Sequence, residues 1–205
     1  MAIAQTTSRL TEKDYLEIER AAPAKSEFFD GEMFAMAGGT FPHSLIGTNV
    51  AGEFRAHLKG KPCRAFNADL RVKVKATGLY TYPDLSVICG PPDFVDGEKD
   101  TITNPTLIVE VLSDSTEAYD RGAKFEHYRQ MPSLREYLLV NQKEPRIEQF
   151  VRQTSGEWLL REASGLEGVL HSEALGISVS LREIFAEVEF PPSSLRNARP
   201  ASPLR

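Results

Sequence analysis

The chain is poor in cysteine: among 205 residues there are only Cys63 and Cys89. One pair is too few for a disulfide framework or a zinc site, and the simplest inference is a reducing, cytoplasmic compartment. Positive charge is also in short supply. Lys and Arg number 24 against 29 Asp and Glu, a formal net charge of −5. That balance argues against a generally basic, nucleic-acid-coating protein but leaves room for a local basic cleft. No apolar run reaches membrane-spanning length, and the opening stretch MAIAQTTSRLTEKDYLEIER lacks the apolar centre of a secretory signal, so no membrane association is expected. Helix-turn-helix, zinc-finger and aromatic-stacking patterns are missing too, so nothing reveals a sequence preference. There is no internal repeat, and no convincing linker before residue 190.

What is present suits one sizeable domain over residues 1–190, since 41% hydrophobic content is enough for a substantial core. The last stretch, PPSSLRNARPASPLR, is rich in Pro, Ser and Arg and has no acids. Residues 191–205 are therefore expected to form a disordered tail, or else a basic arm that touches nucleic acid. Thr11 can cap a helix through about Arg20, and Asp30–Gly31 between two short runs signals a hairpin. Leu45, Ile46, Val50 and Phe54 recur at near-helical spacing, predicting a core helix over about His43–Leu58.

Strands follow at CRAF and DLRVKVK, the second alternating so that Asp69, Arg71, Lys73 and Lys75 share a face. DLSVIC comes after Pro83, and a polar loop then runs from Gly90 to about Pro105. The strand LIVEV is followed by a helix over about Asp120–Met131, then by EYLLVN, RIEQFVRQ and EWLLREA. The order predicts an α/β fold, a mixed sheet with helices packed on it.

Glu110 is out of place in its apolar strand, because an ionised carboxylate away from water is costly unless something pairs with it. Asp84 is held at the start of another strand by Pro83. If those strands are neighbours, the two carboxylates meet and need a proton or a cation between them. Oxygen ligands favour a hard ion such as Mg²⁺, with room for water and a phosphate. Lys124, on the helix that follows, would add positive charge. Metal-assisted phosphodiester hydrolysis is the chemistry such a set can perform. The plainer reading is a buried structural Glu110–Lys124 pair, with Asp84 a strand cap and Asp120 an ordinary helical partner of Lys124.

The stretches YPDLSVIC and LIVEVLSDSTEAYDRGAKFEHYRQMPSLREYLLVN, with SEFFDGEMFAMAGGTFPHSLIGTNV before them, resemble the Uma-two family of endonucleases. That family belongs to the restriction endonuclease-like, PD-(D/E)XK superfamily. The resemblance spans about residues 11–187 and implies a restriction endonuclease-like core with an N-terminal helix and hairpin and additional C-terminal strands. It implies that Asp84 and Glu110 hold Mg²⁺ (or Mn²⁺), that the Val111 carbonyl faces the ion, and that DNA is the substrate of a homodimer. The family's usual lysine two residues after the glutamate is Leu112 here, and Lys124 occupies the place of a lysine displaced to the next helix. Glu27, His43 and Asp69 are additional candidates. His43 could contact phosphate, assist proton transfer or cap its helix. Asp69 could join the metal site or balance the basic face around it, and Tyr128 is expected to pack beside Lys124. The rival reading is a catalytically inactive nuclease-fold protein kept for binding or assembly.

Overall fold

The structure, a computed structural model, describes residues 9–190, so the tail expected over 191–205 lies outside the described residues. Helix α1 (Glu12–Ala21) starts on a reciprocal cap in which Thr11 Oγ1 accepts from the Asp14 amide and the Asp14 carboxylate accepts from the Thr11 amide. Strands β1 (Ser26–Phe29) and β2 (Glu32–Ala35) form the expected hairpin. Asp30 and Gly31 turn it with φ of 49° and 83°, the positive values that a two-residue turn of this hand requires. Helix α2 (Phe41–His57), capped by Thr40, buries Ile46, Val50 and Phe54 along one stripe.

Five strands and a short sixth follow: β3 (Cys63–Asn67), β4 (Arg71–Val74), β5 (Leu79–Thr81), β6 (Leu85–Cys89), β7 (Thr101–Ile102) and β8 (Leu107–Val111). Strand β7 corrects the reading of 90–105 as loop throughout, because Thr101 and Ile102 pair in parallel with Arg71 and Val72. The helix expected over Asp120–Met131 is instead two short ones, α3 (Glu117–Arg121) and α4 (Ala123–Tyr128). Gly122 separates them with a non-helical backbone, and a Cβ there would lie 3.0 Å from the Ala118 carbonyl. Then come β9 (Glu136–Val140), β10 (Arg146–Arg152), β11 (Trp158–Ser164), β12 (Val169–Ser172), β13 (Ile177–Ser180) and α5 (Leu181–Ile184).

The strands build a six-stranded mixed sheet in the order β11-β10-β9-β8-β6-β3, a five-stranded sheet in the order β2-β1-β5-β4-β7, and the β12-β13 ribbon. Strand β8 is central in the larger sheet, parallel to β9 and antiparallel to β6, and all five of its residues are buried. Both faces being covered is why it reads as an almost unbroken apolar run. Leu107, Val109 and Val111 pack with α2, α5 and the ribbon. Ile108 and Leu112 face the other way, into a second core with Val72, Val74, Leu79, Tyr128 and Tyr137. Glu110 shares that second face and looks toward α3 and α4. Helix α1 closes the smaller sheet with Tyr15, Leu16, Phe28 and Tyr80.

Cys63 and Cys89 stand opposite each other on β3 and β6 and are joined by a disulfide, with Cα atoms 4.0 Å apart. The pairing removes the premise on which a reducing compartment was expected. Among the described residues no helix is long and apolar enough to cross a membrane. The bridge closes a loop across a sequence separation of 26, which should stabilise the fold by about 3 kcal/mol by restricting the unfolded chain. Urea unfolding with and without reductant should differ by that order. Two titratable thiols in the unreduced, denatured chain would contradict the bridge.

Candidate functional site

The antiparallel register of β6 and β8 pairs Leu85 with Val109, so continuing it by one residue sets Asp84 opposite Glu110 on the same face. Asp84 lies just before β6, where Pro83 keeps the chain extended. Its Oδ2 accepts the Val111 amide at 2.7 Å and lies 3.4 Å from His43 Nε2. His43 comes from the first turn of α2, in a helix start fixed by Thr40. The hydrogen bond to Asp84 lifts the His43 pKa above its ordinary value; burial opposes this, while the Asp84 charge and the Val111 backbone add to it.

Glu110 is buried, and both of its close contacts fall on Oε1: the Tyr128 hydroxyl donates at 2.8 Å and Lys124 Nζ lies 2.9 Å away. Lys124 is also buried and has further carboxylates at 3.3 Å (Glu27) and 3.4 Å (Asp120). Glu27 reaches it from β1 and is fixed there by the Thr81 hydroxyl of β5. Asp120 and Lys124, four residues apart on either side of Gly122, both turn inward.

Burial pulls the Lys124 pKa down, yet Glu110, Glu27 and Asp120 together hold it well above the ordinary value, so the amine stays charged. Burial pushes the Glu110 carboxyl up to about 8; Lys124 opposes this, and the Asp120 and Asp84 charges reinforce it. Asp120 is raised too, chiefly by burial, and its Oδ1 has no hydrogen-bond partner among the described residues. Four carboxyl groups thus surround one ammonium and one imidazole.

These groups open on a cleft of about 380 Å³ lined by Glu27, His43, Asp84, Glu110, Val111 and Lys124, all expected site residues. Asp69 is not brought there. It is exposed and bonded to Lys25 and Asn67. The basic face read from DLRVKVK is also spent within the protein, since Arg71 is buried against Asp100, Lys73 binds Glu12 and Lys75 binds Asp93. Leu112, where the family's lysine would stand, is packed in the core. Tyr128 does more than pack, because its hydroxyl holds Glu110. Asp120 and Tyr119 also line the cleft; the i, i+4 spacing of Asp120 to Lys124 was the only sequence signal for either. A second depression, about 580 Å³, lies at the far end of α2 and is lined by Arg55, Lys59, Lys61 and Arg64 without a carboxylate.

The raised Glu110 pKa has a consequence for stability. The folded protein keeps this proton up to about pH 8, whereas the unfolded chain gives it up near its ordinary value of 4.5. Glu110's contribution is therefore fully present below about pH 4.5 and is lost as pH rises through about 8. In metal-free urea unfolding, the wild type should lose stability relative to Glu110→Gln between about pH 5 and about pH 8. Parallel pH profiles for the two proteins would show that the carboxyl is not raised.

Comparison with known proteins agrees with this architecture. The profile of the Uma2 family, described as "Putative restriction endonuclease", matches residues 12–182. Two Synechocystis proteins, both termed uncharacterized, are similar along most of their lengths. The first, slr1290, is 39% identical over 184 residues, 89% of this chain and 94% of its own. The second, sll1609, is 36% identical over 165 residues, 80% and 93% respectively. A crystal structure described as "a putative nuclease belonging to DUF820", from Anabaena variabilis, matches with a TM-score of 0.67 at 17% identity, covering 84% of this chain and 96% of that one. The α/β core with its mixed sheets is thus the fold of that Anabaena protein, and the chain belongs to the Uma2 family.

Proposed function

We propose that this protein is a metal-dependent endonuclease that hydrolyses phosphodiester bonds in nucleic acid, with DNA as the polymer. The observation that carries the reading is the meeting of Asp84, Glu110 and a charged Lys124 at one cleft, with Lys124 Nζ 2.9 Å from Glu110 Oε1. The donor set fits a hard divalent ion, Mg²⁺ or Mn²⁺. Among the described residues no three His, Cys, Asp or Glu side chains are grouped to cage a metal by themselves. Mg²⁺ does not need such a cage, since it is commonly held by one or two carboxylates and keeps its waters. Asp84, Glu110 and the Val111 carbonyl are the oxygen donors available to it, and Asp120, paired with Lys124, adds negative charge nearby.

A bound ion would supply Lewis-acid polarisation of the phosphoryl group and a more acidic water. The chain's own residues supply the rest. Lys124 brings fixed positive charge to where a phosphate's charge develops, and Glu27 and Asp120 hold its amine in position. Tyr128 fixes Glu110, and His43 with the Val111 amide fixes Asp84. A homodimer belongs to the same reading, supported by the exposed edge strand β11, where Leu159 and Leu160 face solvent. The reading as an inactive binding module is favoured by the deep burial of Lys124, and activity decides between the two.

Supercoiled plasmid should be nicked by the wild type with Mg²⁺ or Mn²⁺ and not with EDTA. Glu110→Ala and Lys124→Met should each reduce the rate by about a hundredfold or more. Equal nicking by all three proteins would remove the proposed site.

A further inference from the structure

The geometry points to unpaired nucleotides, held by base stacking on an aromatic rim of the cleft, as the substrate that this site takes. The inference rests on the nuclease reading and goes beyond it in naming the substrate class. No stacking pattern is legible in the sequence, because its parts come from three separate elements. Phe34 on β2 is the direct cross-strand partner of Glu27 on β1, so the two side chains share a face, and Glu27 is the residue that touches Lys124. Phe34 nevertheless stays 49% exposed, while its neighbour Met33 turns the other way and packs with Tyr15 and Phe28. Met36, 36% exposed, continues the same wall. Phe41 opens α2 directly after the lining residue Thr40 and two residues before His43, and is 81% exposed. Tyr119 on α3 is 36% exposed, and its ring lies 5.7 Å from Lys124 Nζ.

Three of the eight large apolar side chains exposed among the described residues, Phe34, Met36 and Tyr119, line this one mouth, and Phe41 follows its Thr40 in sequence. Exposed apolar side chains gathered at a polar cleft mark a binding surface. The charges at the cleft say what kind of ligand it suits. Among the described residues Lys124 is the only Lys or Arg in its lining, and that amine is already committed to carboxylates. Nucleic-acid phosphates are gripped mainly by cations, and among the described residues the cleft lining has no row of them, so base contacts must carry more of the binding. Unpaired bases offer faces that stack on aromatic rings whatever their sequence. A strand end or an unpaired stretch can thus lay a base on Phe34 or Phe41 and bring its phosphate down to the acids and Lys124.

The test is fluorescence anisotropy without divalent ion, using a labelled oligothymidylate and the same strand annealed to oligodeoxyadenylate. The single strand should bind more tightly than the duplex and with a shallow dependence on salt. Phe34→Ala and Phe41→Ala should each weaken it by about tenfold, and Phe34→Trp and Phe41→Trp should retain it. Both positions are solvent-facing, so folding is not at stake. Duplex binding as tight as that of the single strand, or alanine variants that bind like wild type, would overturn the proposal. So would a change of sedimentation in Phe41→Ala with unchanged oligothymidylate affinity, which would assign the rim to a second copy of the chain. If plasmid nicking that depends on Glu110 persists in any of these cases, the nuclease reading stands and only the stacking proposal falls. Failure to bind or cut either form of DNA would take down both.

Discussion

The site is organised around one buried ammonium. Lys124 sits out of water among Glu110, Glu27 and Asp120, an arrangement that survives only because its charge is answered from three directions. Much of the local architecture serves that requirement. Strand β1 brings Glu27, the central strand β8 brings Glu110, and the short helices α3 and α4 bring Asp120 and Lys124. Thr81 and Tyr128 then satisfy the carboxylate oxygens from the side. Each of these elements belongs to a different part of the chain, so the two sheets and the two short helices are tied to one another through this cluster.

The same cluster leaves a residue of negative charge. With Lys124 taken and His43 bonded to Asp84, four carboxyl groups are served by two basic groups, and burial, reinforced by the Asp120 and Asp84 charges, makes Glu110 hold its proton more tightly. That imbalance suits a site which takes up a divalent ion and later gives room to a phosphate. It suits poorly a surface meant to bind the phosphate backbone directly. The basic side chains that could have done so on β4 are spent on Asp100, Glu12 and Asp93.

Much of this was legible in the chain, and the remainder failed for identifiable reasons. The apolar run LIVEV with Glu110 inside it and the Pro83–Asp84 step announced two strands whose acids would meet if the strands were neighbours. The register of β6 and β8 makes them so. The family resemblance singled out Lys124 where spacing alone left it an ordinary helical lysine. Contacts between distant segments were not legible. Glu27 could not be joined to Lys124 without knowing that β1 pairs with β5, and Asp69 could not be excluded without knowing that Lys25 reaches it. Strand β7 is two residues in a polar stretch, with no pattern of its own. The disulfide depended on β3 and β6 aligning Cys63 with Cys89, and a count of two cysteines carries no such information.

The most direct test of the central claim is a titration of the wild-type protein with Mn²⁺, followed by electron paramagnetic resonance of the free ion, beside Asp84→Asn and Glu110→Gln. If Asp84 and Glu110 hold the ion that balances this cluster, the wild type will bind Mn²⁺ and either substitution will weaken that binding by at least about tenfold. Undiminished Mn²⁺ binding in Glu110→Gln, or none in the wild type, would contradict the account and leave Glu110 and Lys124 as a structural ion pair.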